Sequence, residues 1–360
     1  MMEMKKYALV LAGGKGERFW PWSRSSEPKQ FLSLTGTRSL IQLTWDRLHN
    51  IFAPENIFVA TGQALIPLVQ KHLPRLPLEN IFVEPTGRNT APCIGLAALH
   101  LQKMDPQAVM LVLPADHLIV NKKVFQHCLQ QCLALAAEKD FLITIGIKPT
   151  RPETGYGYIE KKETPWRGKS GVYRVNKFVE KPDRIKAQEF LAAGNFYWNS
   201  GIFAWKTKLI LAKIQEYLPA LDRGLKEIEP HLGTAHEEEA LAQLFPALPD
   251  VSIDYGVMEK EKNVLMVEGN FDWDDLGSWT ALAKQFHKKG EANVSKGQHL
   301  GIATKDCLVY AEDTLVATLG VSDLVIVQSN GVVLVCSMDR AQEIKDLVGE
   351  LKTKGLEQYL

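Results

Sequence analysis

The residues best able to do chemistry fall in three groups. The first is Ala12-Gly13-Gly14-Lys15-Gly16-Glu17-Arg18, directly after the apolar run Tyr7–Leu11. Glycines at the end of a strand let backbone N–H groups approach an anion with no Cβ in the way. Two familiar loops are excluded. A Walker loop needs Gly-Lys-Ser/Thr after its spacer, which is absent. A dinucleotide fingerprint needs a third glycine where Phe19 stands, and an acidic residue after a second strand that instead ends Ala60-Thr61-Gly62. Taken alone, the glycines suit nucleotide binding or a simple tight turn.

The second group is basic. Arg18-Phe19-Trp20-Pro21-Trp22-Ser23-Arg24 runs on to Glu27-Pro28-Lys29-Gln30. Chemistry on a triphosphate brings anions together, and at about 4 Å with an effective dielectric of about 20 each repelling pair costs about 4 kcal/mol. Arg18 and Lys29 are suited to offset that repulsion. The prolines and tryptophans around them argue against a mobile, solvated loop.

The third group is acidic. Asp116 lies in Leu113-Pro114-Ala115-Asp116-His117, and Asp274 and Asp275 lie in Phe271-Asp272-Trp273-Asp274-Asp275-Leu276-Gly277-Ser278-Trp279. Two carboxylates converging on one cleft are what Mg²⁺ bound through substrate phosphates needs. An Asp after a strand is equally a helix N-cap, so Asp116 alone leaves both roles open.

These groups need a scaffold. Tyr7–Leu11, Ile57–Thr61, Ile81–Glu84, Val109–Leu113 and Leu142–Gly146 read as buried strands. Leu40, Ile41, Trp45 and Leu48 mark a helix between them, Ala91, Ile94, Ala98 and Leu101 a second, and Phe125–Ala136 a third. Alternation of this kind predicts an α/β fold whose parallel sheet is covered on both faces, with ligands outside the strand carboxyl ends. Cys128 and Cys132 lie on the stripe Phe125, Cys128, Leu129, Cys132, Leu133 and Ala136, which reads as core and not as a metal pair.

Residues 151–285 are less regular, with strands at Val172–Val179 and Gly201–Trp205, and read as a second wall of the same cleft. The polar stretch Lys288–Gly297 separates short β runs at Leu308–Tyr310, Leu315–Leu319, Leu324–Val327 and Val332–Cys336. Asn330-Gly331 is a hairpin signal, and a helix with Asp339 as N-cap is predicted to bury Ala341, Ile344, Val348 and Leu351.

The 360 residues are 46% apolar and 23% charged, which is ordinary globular composition and long enough for two domains. Lys+Arg and Asp+Glu both total 42, which argues against a general basic field of the kind most nucleic-acid binders use and leaves room for a local basic pocket. No stretch approaches the roughly 18 apolar residues needed to span a bilayer. Five cysteines in a chain this long do not make a disulfide framework. The expectation is a reduced, cytoplasmic protein with no membrane or nucleic-acid partner.

Over essentially the whole chain, these motifs resemble the sugar-nucleotide pyrophosphorylases, and within them the mannose-1-phosphate guanylyltransferases. The resemblance rests on Leu11–Gln30, on Glu84-Pro85 through Arg88-Asn89-Thr90-Ala91-Pro92, and on Leu113–His117. It continues in Thr154-Gly155-Tyr156-Gly157-Tyr158-Ile159, Phe178-Val179-Glu180-Lys181-Pro182 and Trp198-Asn199-Ser200-Gly201-Ile202-Phe203. It ends in Ser252-Ile253-Asp254-Tyr255 and Trp273–Trp279. It implies a Rossmann-like, mostly parallel sheet flanked by helices (the nucleotidyltransferase fold) over residues 1–287. For residues 298–360 it implies a small β-rich, left-handed β-helix-like domain that contributes to a homodimer.

The same resemblance implies in-line attack by the phosphate oxygen of mannose 1-phosphate on the α-phosphorus of GTP, giving GDP-mannose and pyrophosphate. That nucleophile is already anionic, so no general base is required, and the nine histidines, His117 included, are unpromising catalysts. Leu11, Ala12, Gly13, Gly14, Lys15, Gly16, Arg18 and Lys29 would hold the nucleotide, with Asn89 and Thr90 near its base. Gly157, Glu180, Lys181 and Asn199 would hold the sugar and its phosphate. Asp116 and Asp275 would hold Mg²⁺ or another divalent cation, the pattern Trp-x-Asp-x-Gly selecting Asp275 over Asp274. The catalytic set is then Arg18, Lys29, Asp116, Lys181 and Asp275. Larger relatives add a cupin-type isomerase domain, so isomerase activity is expected to be absent. Other nucleotides or sugar phosphates, or a non-catalytic regulatory paralogue, are the competing readings. Intact Lys29, Asp116, Lys181 and Asp275 argue against the last.

Overall fold

Runs of β-branched and apolar residues between helical segments have few ways to bury both faces, and a covered sheet is the commonest. The structure, a computed structural model, describes residues 4–34, 36–286 and 292–360. Residues 288–291 of the predicted separator lie outside them. The chain divides into two compact units, Met1–Gly13 with Thr44–Ala115 and Ile119–Trp273, and Gly14–Leu43 with Asp116–Leu118 and Asp274–Leu360.

The first unit holds a nine-stranded sheet. Its strands are β1 Lys6–Leu11, β2 Ile57–Gly62, β3 Ile81–Glu84, β4 Val109–Pro114, β5 Leu142–Ile147, β6 Tyr158–Pro165, β7 Val172–Val179, β8 Phe196–Lys206 and β9 Val264–Gly269. The spatial order is β3-β2-β1-β4-β8-β5-β9-β7-β6. The β3-β2-β1-β4 half is parallel, as is the β5–β9 pair. The predicted strand Gly201–Trp205 is the second half of β8, which runs antiparallel between β4 and β5. The β6–β7 hairpin extends the sheet at its far edge.

One face packs Tyr7, Leu9, Met110, Val112, Trp205 and Met266 against helices Thr90–Met104, Thr207–Tyr217 and Pro219–Ile228. Helix Lys122–Glu138 packs on β4, β5, β8 and β9 and buries the whole stripe from Phe125 to Ala136, both cysteines included. Ile57–Ala60 and Val109–Leu113 are out of water, and apolar surface buried in this way stabilises the fold by roughly 25 cal/mol per Å².

The second unit is built on short parallel ladders. β10 Val294–Lys296, β12 Leu308–Ala311 and β14 Leu324–Ser329 form one, and β11 His299–Ile302 pairs with β13 Val316–Leu319 in another. A chain that alternates between two parallel ladders is a β-helical coil. β15 Val332–Ser337 closes it antiparallel on β14 through Asn330-Gly331, whose φ angles of 50° and 72° are those of the predicted turn.

The coil shares one apolar cluster with the tryptophan-proline segment: Trp22 stacks on Tyr310 at 4.1 Å, with Phe19, Trp20 and Trp279 in the same cluster. The C-terminal helix differs at its start. A 3-10 turn, Met338–Glu343, precedes the α-helix Ile344–Thr353, and Asp339 accepts from the Ser337 hydroxyl instead of capping. Ala341, Ile344 and Val348 are buried as predicted.

Candidate functional site

In the second unit the glycine loop is pinned by its own basic segment. Gly16 has φ of 64°, and a Cβ there would lie 2.5 Å from the Lys29 Cβ, so only glycine fits. The Ser23 hydroxyl donates to the Gly16 carbonyl at 2.7 Å, and the Gln30 amide to the Gly14 carbonyl at 3.1 Å. Lys29 is only 5% exposed. Its ammonium donates to Asp116 Oδ2 at 2.8 Å and to the Asp275 carbonyl at 2.5 Å. One lysine therefore ties together the two acidic segments that the sequence keeps far apart.

A cavity of about 360 Å³ opens here, lined by Lys15, Arg18, Lys29, Asp116, Asp275 and Lys345 among others. Burial works against ionisation of Asp116. The Lys29 ammonium outweighs it, with help from His117, and holds the carboxyl below its usual range. Asp274 does not line the cavity: it is buried, and its Oδ1 accepts from the Leu276 N–H at 2.8 Å. Asp275 Oδ1 accepts from the Gly277 N–H at 2.8 Å, and Asp275 faces the cavity. Asp116 and Asp275 offer only hard oxygen donors, and among the described residues no cluster of three ligating side chains exists. Such a pair fits a cation that takes its remaining ligands from phosphate and water, as Mg²⁺ does.

The first unit carries the rest of the predicted site. Leu11 ends β1, and Ala12 continues it by donating its N–H to the Ala60 carbonyl at 2.8 Å. Gly13 is exposed beside Glu84, whose Oε2 a Cβ at Gly13 would approach to 3.2 Å. Burial raises Glu84 to about 7, against a hydrogen bond with Cys93 that favours the carboxylate. Asn89, at φ 66° and ψ −172°, is held in a region few side chains adopt, and its Oδ1 accepts from the Thr90 N–H at 3.0 Å. Thr90 Oγ1 in turn accepts from the Ile253 N–H at 2.9 Å.

Glu180, Lys181 and Asn199 come together around a residue that no site prediction included, Asp254. The Asn199 amide donates to Asp254 Oδ1 at 2.8 Å, while its Oδ1 accepts from Thr144 Oγ1 at 3.1 Å and the Gly201 N–H at 3.2 Å. Asn199 is thus largely committed to protein partners. The Lys181 ammonium lies 3.1 Å from Glu180 Oε1, and the other oxygen, Oε2, is buried with no protein partner. Burial first, and then the neighbouring Glu180, raise Asp254 to about 7.

A Cβ at Gly157 would sit 2.3 Å from Glu180 Oε2, so glycine there leaves that carboxylate its place. Gly157→Ala is expected to raise the KM for the sugar phosphate about tenfold or more by displacing one hydrogen-bond acceptor, with the KM for nucleotide little changed. Steady-state kinetics in each substrate check this. Glu84 and Asp254 were both inside motifs the sequence singled out. What the sequence did not reveal is that they are partly buried carboxyls facing other polar groups.

A profile of the nucleotidyl transferase family matches residues 7–291, and one described as a MannoseP isomerase/GMP-like beta-helix domain matches residues 297–351. The mannose-1-phosphate guanylyltransferase of Escherichia coli K12 is 37% identical over all of this chain and 76% of its own length. That of Salmonella typhimurium LT2, ManC, is likewise 37% identical over all of this chain and 76% of its own. A solved structure from Thermus thermophilus, described as mannose-1-phosphate geranyltransferase, superposes with a TM-score of 0.86 at 36% identity. That likeness covers 97% of this chain and 100% of the other.

Proposed function

The chain belongs to the nucleotidyl transferases and, within them, to the mannose-1-phosphate guanylyltransferases, and from that premise we propose that it transfers GMP from GTP to α-D-mannose 1-phosphate, releasing pyrophosphate. The observation that carries this reading is the cavity that Lys15, Arg18 and Lys29 line together with Asp116 and Asp275. Such a site neutralises a polyphosphate and has no need of a protein nucleophile or general base.

Transfer requires the sugar-phosphate oxygen to lie in line with the α-phosphorus, so positioning and charge neutralisation carry the catalysis. Arg18 and Lys15 bind phosphate oxygens directly. Lys29 fixes Asp116 and the Asp275 backbone in one geometry. Asp116 and Asp275 would hold a divalent cation, whose charge would offset that of the α-phosphate. Glu180, whose Oε2 lacks a protein partner, accepts a sugar hydroxyl, and Lys181 holds the sugar's phosphate. Asn199 orients Asp254. Turnover assays offering GTP, ATP, UTP and dTTP with mannose 1-phosphate test the reading. Pyrophosphate release with GTP alone supports it, and no release with any pair overturns it.

Asp254 supplies a pH test of the sugar pocket. Its facing groups are Glu180, Lys181 and Asn199. Its folded pKa of about 7 lies above its ordinary value of 3.8, so the folded state keeps a proton that the unfolded state has lost. The stability this gives is fully present below the ordinary value and is lost as pH rises through about 7. Asp254→Asn removes that loss, so the Tm difference between variant and wild type is expected to grow from pH 5 to pH 8. Parallel Tm-versus-pH curves would show that the fold does not hold Asp254 protonated.

The oligomer proposal is a homodimer through the coil. Leu300, Ile302 and Leu319 stand exposed on the β11–β13 ladder, with Ile302 opposite Leu319. A contiguous apolar face of this kind is usually covered by a partner. Ile302→Lys with Leu319→Lys should yield a monomer by light scattering. We propose a cytoplasmic setting, in line with a chain whose described residues include no helix long and apolar enough to cross a membrane.

A further inference from the structure

We infer that Lys345, on the C-terminal helix, binds the terminal phosphates of the nucleotide, the part that leaves as pyrophosphate. The inference rests on the nucleotidyltransferase reading and goes beyond it, since it makes the C-terminal segment part of the catalytic centre. Lys345 lines the same cavity as Lys15, Arg18, Lys29, Asp116 and Asp275. It belongs to the helix Ile344–Thr353, outside every motif that the sequence marked as chemical.

Three features place it there by construction. Ile344 and Val348 are buried on either side of it, which fixes the face that Lys345 presents. The helix packs on the 3-10 turn Glu17–Phe19, which carries Arg18. Two further bonds hold the segment down: Lys352 to Glu17 at 3.0 Å, and the Trp20 indole N–H to the Tyr359 carbonyl at 2.6 Å.

The carboxylate partners then separate the lysines. Lys29 is committed to Asp116, and Glu17 is taken by Lys352. Among the described residues Lys15, Arg18 and Lys345 have no carboxylate partner, yet all three border one cavity. All three are exposed on the cavity wall, and cations gathered in this way offer an incoming anion several charge-assisted contacts at once. Asp116 and Asp275 would hold the cation that serves the α-phosphate end. The three unpaired cations therefore serve the terminal phosphates, where charge accumulates as the P–O bond to the leaving pyrophosphate breaks and the sugar-phosphate oxygen forms the new bond.

The test uses Lys345→Met in the full chain, with Lys354→Met as a control on the same segment and Lys345→Arg as the conservative variant. Titration of inorganic pyrophosphate is followed by calorimetry, and pyrophosphorolysis of GDP-mannose is followed alongside. Lys345→Met should raise the pyrophosphate Kd and KM about tenfold, the usual loss for one charge-assisted contact, while the KM for GDP-mannose barely moves. Lys345→Arg should restore most of the loss, and Lys354→Met should match wild type. An unchanged pyrophosphate Kd in Lys345→Met overturns the inference. So does a uniform fall in activity accompanied by a lowered Tm that arginine does not rescue, because the helix would then act only as packing. If wild type itself binds no pyrophosphate, the nucleotidyltransferase reading fails instead.

Discussion

Asp275→Asn is expected to lower kcat by about 10²–10³, the usual loss when one group stabilising transition-state charge is removed. Asp275 lines the cavity beside Lys29 and Asp116, and its Oδ1 already accepts the Gly277 N–H at 2.8 Å, so the nearly isosteric amide keeps the turn while losing the charge. Asp116→Asn should cost at least as much, because it also takes from the Lys29 ammonium, on a residue 5% exposed, the carboxylate it donates to at 2.8 Å. Asp274→Asn is the internal control. Its Oδ1 accepts from the Leu276 N–H at 2.8 Å, a bond the Asn oxygen can keep, and it does not border the cavity. Single-turnover rates at saturating GTP, with Mg²⁺ varied, decide the matter. Normal turnover by both Asp116→Asn and Asp275→Asn at limiting Mg²⁺ would end the metal proposal. A crippled Asp274→Asn beside a silent Asp275→Asn would move the ligand by one residue.

Why one aspartate of a pair faces the cavity was not legible in the sequence. The motif Trp-x-Asp-x-Gly selected Asp275 by resemblance, but neighbouring carboxylates differ physically only in which backbone N–H they meet. The strands were easier, since five apolar runs of the first 150 residues must be buried and each appears within a residue or two of its predicted bounds. β8 was harder: Phe196–Lys206 is buried almost throughout, and its aromatic residues carry no alternation to mark its length or its antiparallel direction. The C-terminal cap failed for a local reason, because Ser337 supplies a hydroxyl to Asp339 and a 3-10 turn takes the place of the capping box. Lys345 left no trace in the sequence at all. A lysine on an amphipathic helix reads as a solvated face, and only the packing of Ile344 and Val348 turns it toward the cavity that Lys15, Arg18 and Lys29 line. Asn199 was read as a sugar ligand, and its position in the ordered motif could not reveal that Thr144, Gly201 and Asp254 engage it.

GTP should be preferred over ATP by about 10⁴ in kcat/KM, because a wrong base leaves buried polar groups unpaired. Glu84 is expected to carry that preference. It ends β3, lies against Gly13, and is a partly buried carboxyl raised to about 7. Guanine presents N1–H and an amino group side by side, and a carboxylate can accept from both. Adenine offers an acceptor at N1, which a carboxylate repels. Binding guanine also gives the carboxylate two donors, so the group that burial holds near neutrality is pulled back toward ionisation. The sign of the pH effect follows. The free enzyme must ionise Glu84 before it can bind, so kcat/KM for GTP should rise with pH through about 7 and then level. Glu84→Gln keeps the shape but offers one donor and one acceptor, so it should lose about 10²–10³ in kcat/KM for GTP and most of the discrimination against ATP. Its remaining activity should lack the limb near pH 7. Kinetics with GTP, ITP and ATP, measured from mildly acidic to mildly basic pH, separate the possibilities. Equal wild-type values for GTP and ATP would remove the guanine assignment while leaving the reaction class intact. A Glu84→Gln variant that still rejects ATP would place base recognition on the Asn89–Thr90 loop instead.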